Sequence, residues 1–534
     1  MITLQADTPA PPLLDADEAV AQRAAARPRV LLAMSILVVV VLLAPLVFLL
    51  VEATHAGLSG VLHLIFRSLT VELFWNTVRL TVVVTALCAV VGTLAAWCVE
   101  RTDLPGRSVW AVLVVIPFAI PDFIVSFGWS SLSTWVQGFQ GAVLVMTLAI
   151  YPLVYLPVAA SLRGADPGQE EIARSLGAGR ISIFFRITLS QARMAILGGC
   201  LLVALVILAE YGAFEILGYR TFTTEIFAEF GSLHFAAACA LSFVLVLVSM
   251  VVLVGETAAR GKRHLIRAGS DTQRVLPRQR LGRATIPVLL GFALFSMASL
   301  GVPIGSSIYW IFEGGAHSLV GVSLVSAALH TALYGVVAAA FATLMALPLA
   351  LLAVRHAGRM RSMLERSTFL VLAMPGVVIA LAISYFSEND ANGLFYQNAP
   401  LLILAYAILF FPLALVGVRA SVAQAPVRLE EVAGSLGVNR WHVLLRVTLP
   451  LILPGLGAAF CLVFLSAVTE LTATLILVPT GVQTLSTQFW AFETNLSYGQ
   501  AAPFALTIIA IAAVPSYVLG RFFDRLPARA SATT

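Results

Sequence analysis

Apolar residues run along this chain in long unbroken stretches, not in the alternating or one-faced patterns of soluble strands and helices. Crossing the hydrocarbon core of a bilayer takes about 20 consecutive apolar residues. Stretches suited to this occur at 30–52, 76–98, 109–130, 141–160, 195–217 and 235–256, and again at 285–312, 322–354, 367–386, 399–419, 454–478 and 501–521. The pattern predicts about 12 transmembrane helices in an all-α integral membrane protein. The 322–354 stretch is long enough to tilt or to include a non-spanning part. The first stretch follows a polar tail and exceeds the apolar core of a signal peptide, so it reads as a retained anchor.

Composition agrees and removes other classes. Of 534 residues, 60% are hydrophobic and 11% charged, whereas soluble domains carry about 25% charged residues. A soluble multidomain enzyme is excluded. The net charge of +5 is too mild to suggest a nucleic-acid partner. Lys262 is the only lysine, and Gly261-Lys262-Arg263 lacks the hydroxyl residue of a phosphate-binding loop. ATP is therefore not expected to bind this chain through a P-loop. The five cysteines (Cys88, Cys98, Cys200, Cys239 and Cys461) lie in apolar runs without paired spacing and read as small apolar residues. The eight histidines form no ligand cluster, and no metal site is expected.

The few charges carry the topology. Basic residues near span ends stay in the cytoplasm. With the N-terminus inside, 29 of the 32 basic residues fall on cytoplasmic segments, leaving Arg67, Arg220 and Arg79 at the outside. Both termini are expected in the cytoplasm.

The chain also repeats itself. Pro152–Leu189 and Pro412–Leu449 align without a gap at an offset of 260, with 16 identities in 38 positions. The core of the match is Glu170-Glu171-Ile172-Ala173-Arg174-Ser175-Leu176-Gly177 against Glu430-Glu431-Val432-Ala433-Gly434-Ser435-Leu436-Gly437. Upstream, Pro121 matches Pro375 at an offset of 254. Six spans per half give both copies the same orientation, a parallel repeat. The predicted organisation is a cytoplasmic tail at 1–29, a first repeat at 30–256, a basic linker at 257–284, a second repeat at 285–523 and a tail at 524–534. The best-matched segment is a polar loop between the fourth and fifth spans of each half, about 161–194 and 420–453. Carboxylates favour a helix N-terminus, and Gly177 and Gly437 suit helix stops. Each loop therefore predicts a two-helix knob with an apolar stripe, fit for another protein's groove.

This segment resembles the EAA loop of binding-protein-dependent ABC importer permeases. Glu171, Ala173, Gly177, Ile187 and Leu189 fit that pattern in the first copy, and Glu431, Ala433, Gly437, Leu449 and Pro450 in the second. Ile172, Val432, Val447 and Ser190 depart from it. The resemblance implies a type I ABC importer permease fold with both halves in one polypeptide of the bacterial inner membrane. It implies coupling of Glu170, Glu171, Ala173, Gly177, Glu430, Glu431, Ala433 and Gly437 to two copies of an ABC ATPase subunit, which use ATP and Mg. It also implies a periplasmic substrate-binding protein as partner, and no cofactor or catalytic residue of the chain's own. A major-facilitator-type secondary transporter also has a six-plus-six repeat. Its charged motif would lie between the second and third spans, where Glu100–Arg107 and Arg355–Arg366 match poorly.

Charges inside spans are costly, about 2.5–3.5 kcal/mol at a helix centre. Glu210 and Glu470 occupy the same repeat position within the fifth spans. They either line a pathway with Tyr211 and Thr472 or make interhelical hydrogen bonds. Asp122, whose counterpart is Gly376, is expected to face an outer vestibule, and Arg79 to snorkel at the outer surface. The stretches Glu210–Phe214, Thr221–Ile226 and Thr469–Thr474 resemble those of ferric iron permeases; thiamine and 2-aminoethylphosphonate permeases share the fused layout.

Overall fold

The computed structural model describes residues 29–55, 67–165, 167–260, 278–315, 321–356, 359–389 and 398–530. Most of the expected N-terminal tail, the linker core with Lys262 and the last four residues lie outside the described residues. Every element within them is helical. The first half runs α1 (Arg29–His55), α2 (Ser68–Arg101), α3 (Arg107–Leu113), α4 (Asp122–Ser130), α5 (Gly138–Ile150), α6 (Pro152–Arg163), α7 (Pro167–Ser175), α8 (Arg180–Ile183), α9 (Leu189–Ala209), α10 (Gly212–Ile216), α11 (Phe222–Gly231) and α12 (Phe235–Arg260). The second runs α13 (Thr285–Ser296), α14 (Val302–Gly314), α15 (Gly321–Arg355), α16 (Arg359–Leu372), α17 (Gly376–Asn389), α18 (Ala399–Gln424), α19 (Val427–Ser435), α20 (Arg440–Val443), α21 (Leu449–Val468), α22 (Thr472–Leu477), α23 (Leu485–Thr494) and α24 (Tyr498–Ala530). The final helix thus continues through most of the tail expected at 524–534.

Among the described residues, ten helices are continuous, long and apolar enough to cross a membrane. The differences from twelve fall on the third span of each half. At 109–130 the chain forms two helical segments, Arg107–Ala119 and Asp122–Ser130, bent by 93°. At 367–386 it is divided between α16 and α17. Pro121 and Pro375 stand at the breaks. Proline has no N–H to donate and pushes the residue before it out of helical geometry. The first broken segment runs from the repeated-loop end of the helices to the opposite end. Its start follows Arg101, which pairs with Glu170 in the repeated loop. Its end leads to Gly138, whose N–H donates to the Leu217 carbonyl at 2.7 Å beyond the far end of α9.

The fifth spans also end earlier than the 195–217 and 454–478 stretches. α9 stops at Ala209 and α21 at Val468, and each is followed by a short helix. Glu210 is extended, with ψ 135. These carboxyls therefore sit at helix breaks, not inside continuous spans.

The halves interlock. α1 packs on α15, α16 and α17 of the second half, and α14 packs on α4 of the first. One buried core accordingly joins Leu42 and Leu49 to Ala338 and Ala342, and another joins Phe127 to Phe489 and Phe504. Within each half the coupling-loop flanks pack closely, α9 on α6 and α21 on α18. Small residues permit this, as between membrane helices generally. A Cβ on Gly199 would stand 2.7 Å from Val154 Cα. At the equivalent crossing, a Cβ on Gly417 would stand 2.9 Å from the Cβ of Ala459.

What remains of the linker is docked. Gln279 N–H donates to the Arg101 carbonyl at 2.8 Å, Asp103 N–H donates to the Gln279 carbonyl at 3.1 Å, and Leu281 N–H donates to the Asp103 carboxylate at 2.7 Å.

Gly199→Leu is expected to overpack the α6–α9 crossing by about 1–3 kcal/mol. The melting temperature of the detergent-purified protein should fall by several degrees. An unchanged value would show that the helices do not approach this closely.

Candidate functional site at the repeated loops and the axis

Each repeated loop is a knob of two short helices set on an ion pair, buried in the first copy and partly buried in the second. α7 begins with its acidic residues near the N-terminus and ends at Gly177, with φ +82; α19 ends at Gly437, with φ +80. Side chains with a Cβ rarely adopt this left-handed conformation. Ala178 N–H reaches back to the Ala173 carbonyl at 2.9 Å, and Val438 N–H to the Ala433 carbonyl at 3.2 Å. These bonds satisfy carbonyls that the helix end leaves free. The predicted stops are present in both copies.

The two glutamates of each pair face opposite ways. Glu171 and Glu431 are exposed. Glu170 is 1% exposed and receives Arg101 Nη2 and the Thr188 hydroxyl, the latter at 3.0 Å. Arg174 adds a contact to its second oxygen at 3.4 Å. In the second copy Glu430 receives Arg355 Nη2 at 2.9 Å and the Thr448 hydroxyl at 3.1 Å. Each threonine ends a π-helical turn, Phe184–Thr188 or Leu444–Thr448. The wider turn places the hydroxyl where the carboxylate can use it. Glu170 and Glu430 hold the knob to α2 and α15, while Glu171 and Glu431 stay at the surface. Ala173 and Ala433 are half-buried beneath them.

The predicted apolar stripe is exposed. Leu176 is 81% and Leu436 77% exposed, with Ile172 and Val432 beside them. Isolated apolar residues on a surface are ordinary, but a repeated stripe on a charged knob marks an interaction face.

On the side opposite the knobs, the fifth-span breaks of the two halves meet. Glu210 accepts the Ala213 N–H at 2.8 Å, and Glu470 accepts the Ala473 N–H at 2.9 Å. Each carboxylate caps the short helix that follows it, α10 or α22. A Cβ on Gly212 would lie 2.5 Å from Leu471 Cδ2, so the breaks are in contact across the halves. Asp122 starts α4 beside this break, since a Cβ on Gly212 would lie 3.1 Å from the Cβ of the adjoining Phe123. Asp122 therefore joins the axial group. Tyr211 is buried, stacked on Phe227 at 4.3 Å and near Trp490 of the other half at 5.6 Å. Thr472 is buried at the start of α22. Among the described residues no group of three or more His, Cys, Asp or Glu side chains is placed to hold a metal ion.

The threonine-rich stretches serve local structure. Thr221 and Thr224 form a capping box on α11, as do Thr484 and Thr487 on α23. Phe222 N–H donates to Thr77 at 3.3 Å and Leu485 N–H to Thr331 at 2.9 Å, again in repeat-related places. Arg79 does not simply snorkel: its guanidinium lies 3.6 Å from the centre of the Phe139 ring.

Sequence reasoning missed Arg101 and Arg355. The signal was available, since both follow the 254-residue offset of Pro121 and Pro375. The loops after them diverge, and that divergence masked the shared arginine.

Comparison with known proteins matches residues 342–531 to the family described as binding-protein-dependent transport system inner membrane component. The chain is 36% identical over 482 residues to the Fe(3+)-transport system permease protein FbpB 2 of Haemophilus influenzae, covering 90% of this chain and 95% of that one. The chain belongs to this family of ABC permeases. A second Haemophilus influenzae relative, the putative ferric transport system permease protein FbpB 1, is 25% identical over 78% of this chain and 72% of its own. The sulfate transport system permease protein CysW of Synechocystis is 31% identical over 40% of this chain and 86% of its own. The permease is thus a multi-pass inner-membrane protein of a binding-protein-dependent transport system, and an ABC ATPase and a periplasmic binding protein are its implied partners.

Removing one partner of a buried ion pair costs about 3–5 kcal/mol. Arg101→Ala is therefore expected to raise amide hydrogen exchange across 167–189, whereas Glu171→Ala should leave it unchanged. Equal protection in Arg101→Ala and the parent would remove the anchoring role.

Proposed function

We propose that this permease forms the alternating-access pathway of an ATP-driven importer for ferric iron. A periplasmic binding protein delivers the ion. Two copies of an ATPase subunit grip the knobs, one each, and use ATP and Mg; the chain itself hydrolyses nothing. Both termini and the knobs lie in the cytoplasm, in keeping with the arginine distribution.

The observation that carries the solute is the likeness to the ferric permease FbpB 2 along nearly the whole chain. The axis agrees with it. Glu210, Glu470 and Asp122 are all carboxyls, and among the described residues no arginine or lysine pairs with them. Such a set offers oxygen acceptors to a cation or its hydration water. It offers no cationic donor to an oxyanion such as the one carried by CysW. A cage of fixed ligands would hold iron too firmly for release, and passage needs only weak, successive contacts.

The transport cycle follows from the two sites. Closure of the ATPase pair moves the knobs through the exposed stripes and Glu171 and Glu431. The anchors at Glu170 and Glu430 pass that motion to α2, α15, α9 and α21. The last two end at the axial carboxyls.

Gly177→Asp with Gly437→Asp is expected to abolish uptake while the protein stays in the membrane, because a left-handed helix stop cannot take the side chain without strain. Uptake is measured as labelled ferric iron entering cells that carry the cognate binding protein. Wild-type rates in the double variant would sink the coupling assignment. Excess sulfate, thiamine or 2-aminoethylphosphonate should not compete, and competition by any of them would replace iron as the solute.

Glu210→Gln and Glu470→Gln keep a cap acceptor and remove the charge. Both are expected to slow iron uptake without reducing the amount of ATPase subunit that co-purifies. Glu210→Ala also loses the cap, at about 1 kcal/mol. Normal transport by both Gln variants would make the carboxyls purely structural.

A further inference from the structure

An apolar groove of about 460 Å³ opens beside the second knob. Ala340, Leu344 and Leu347 of α15 form one wall, and Gly457 and Phe460 of α21 form the other. Trp441 and Leu445 stand at its knob end. Gly457 opens the floor, because nothing lies within 4 Å of where its Cβ would be. The equivalent residue of the first half is Leu197.

We propose that this groove holds an acyl chain of a membrane phospholipid with an anionic headgroup. Three observations select that occupant. The wall from Leu449 to Phe460 runs about 16 Å at about 1.5 Å per residue, half of a hydrocarbon core about 30 Å thick. The groove therefore has the depth of one leaflet, on the knob side. At its outer end Trp441 is 62% exposed, and tryptophan settles at the level of the headgroups. Arg446, five residues on, is exposed, which places positive charge where an anionic headgroup lies.

The occupant has a mechanical consequence. Leu444 and Leu445 line the groove and belong to the π-turn that ends at Thr448. Thr448 in turn donates to Glu430. A chain in the groove supports that turn from the lipid side and steadies the second knob. This proposal goes beyond the transport reading, and its readout does not depend on the solute.

The test uses the purified permease–ATPase assembly in nanodiscs of phosphatidylethanolamine with or without phosphatidylglycerol, followed by native mass spectrometry of retained lipid. The wild type is expected to retain phosphatidylglycerol in preference to phosphatidylethanolamine. Gly457→Leu fills the floor and should reduce retention about tenfold, from the loss of roughly two buried methylene contacts. Ala340→Leu narrows the same groove from the opposite wall and should do likewise, so a folding failure of one variant leaves the other. Arg446→Gln should keep the chain but reduce the preference for phosphatidylglycerol about fivefold. Unchanged retention in a folded groove variant would overturn the proposal, as would a wild type that retains no phospholipid. Retention without headgroup preference would overturn the anionic assignment.

Discussion

Inside a bilayer no water is available to the backbone, so each N–H and C=O must find its partner within the protein. This constraint governs where the chain can break a helix. It breaks at four repeat-related places within the spans: at Pro121 and Pro375, and at Glu210 and Glu470. The latter breaks meet between the halves, covered by protein on both sides. The two glutamates supply what the break removes, each accepting an N–H of the short helix that follows. A carboxyl in a span is thus explained first by backbone chemistry. Its place where the halves meet is what the proposed pathway role rests on.

The knob and the axis are the two ends of one rigid element. α9 has 21 residues and α21 has 20, which is about 30 Å of continuous helix at about 1.5 Å per residue. At one end of each lies the threonine that binds the anchored glutamate, and at the other the axial carboxyl. A helix of that length does not compress, so in the proposed cycle displacement of a knob would shift or rotate the break at the helix's other end. The Arg–Glu pairs at the knob bases, one buried and one partly buried, matter for the same reason. Without them the knob would move on its own, and the stroke would be absorbed before reaching α9. The first anchor is held further by the end of the linker, whose Gln279 is bonded to the Arg101 backbone.

Much of this arrangement was legible in the sequence. The fold followed from the length of the apolar stretches, the knobs from the gapless repeat, and the helix stops from Gly177 and Gly437. Less legible were properties set by tertiary partners. Hydropathy averages over a window, so it reported 109–130 and 367–386 as single spans and was blind to Pro121 and Pro375, at which they break. It likewise ran past Glu210 and Glu470, because the residues after the breaks are still apolar. The sequence presented Glu170 and Glu171 as alike; only the position of Arg101, 69 residues away in the chain, distinguishes the anchor from the exposed residue. The threonines of Thr221–Ile226, part of the likeness to ferric iron permeases, cap α11.

The departures from symmetry show what joining two halves in one chain permits. Two identical subunits would place every axial residue twice. Here Asp122 stands opposite Gly376 in the repeat, and a Cβ on Gly376 would lie 3.3 Å from Glu470 Oε1. An aspartate there would press a fourth carboxyl onto the group in a medium where like charges repel strongly. The glycine avoids that repulsion and leaves an odd number of acidic groups at the axis, which a symmetric dimer cannot have. The knobs diverge in the same manner: Arg174 reinforces the first anchor, and Gly434 leaves the second to Arg355 and Thr448 alone. On the proposed pathway a passing cation would therefore meet a lopsided set of oxygens, with no position on the axis holding it from all sides.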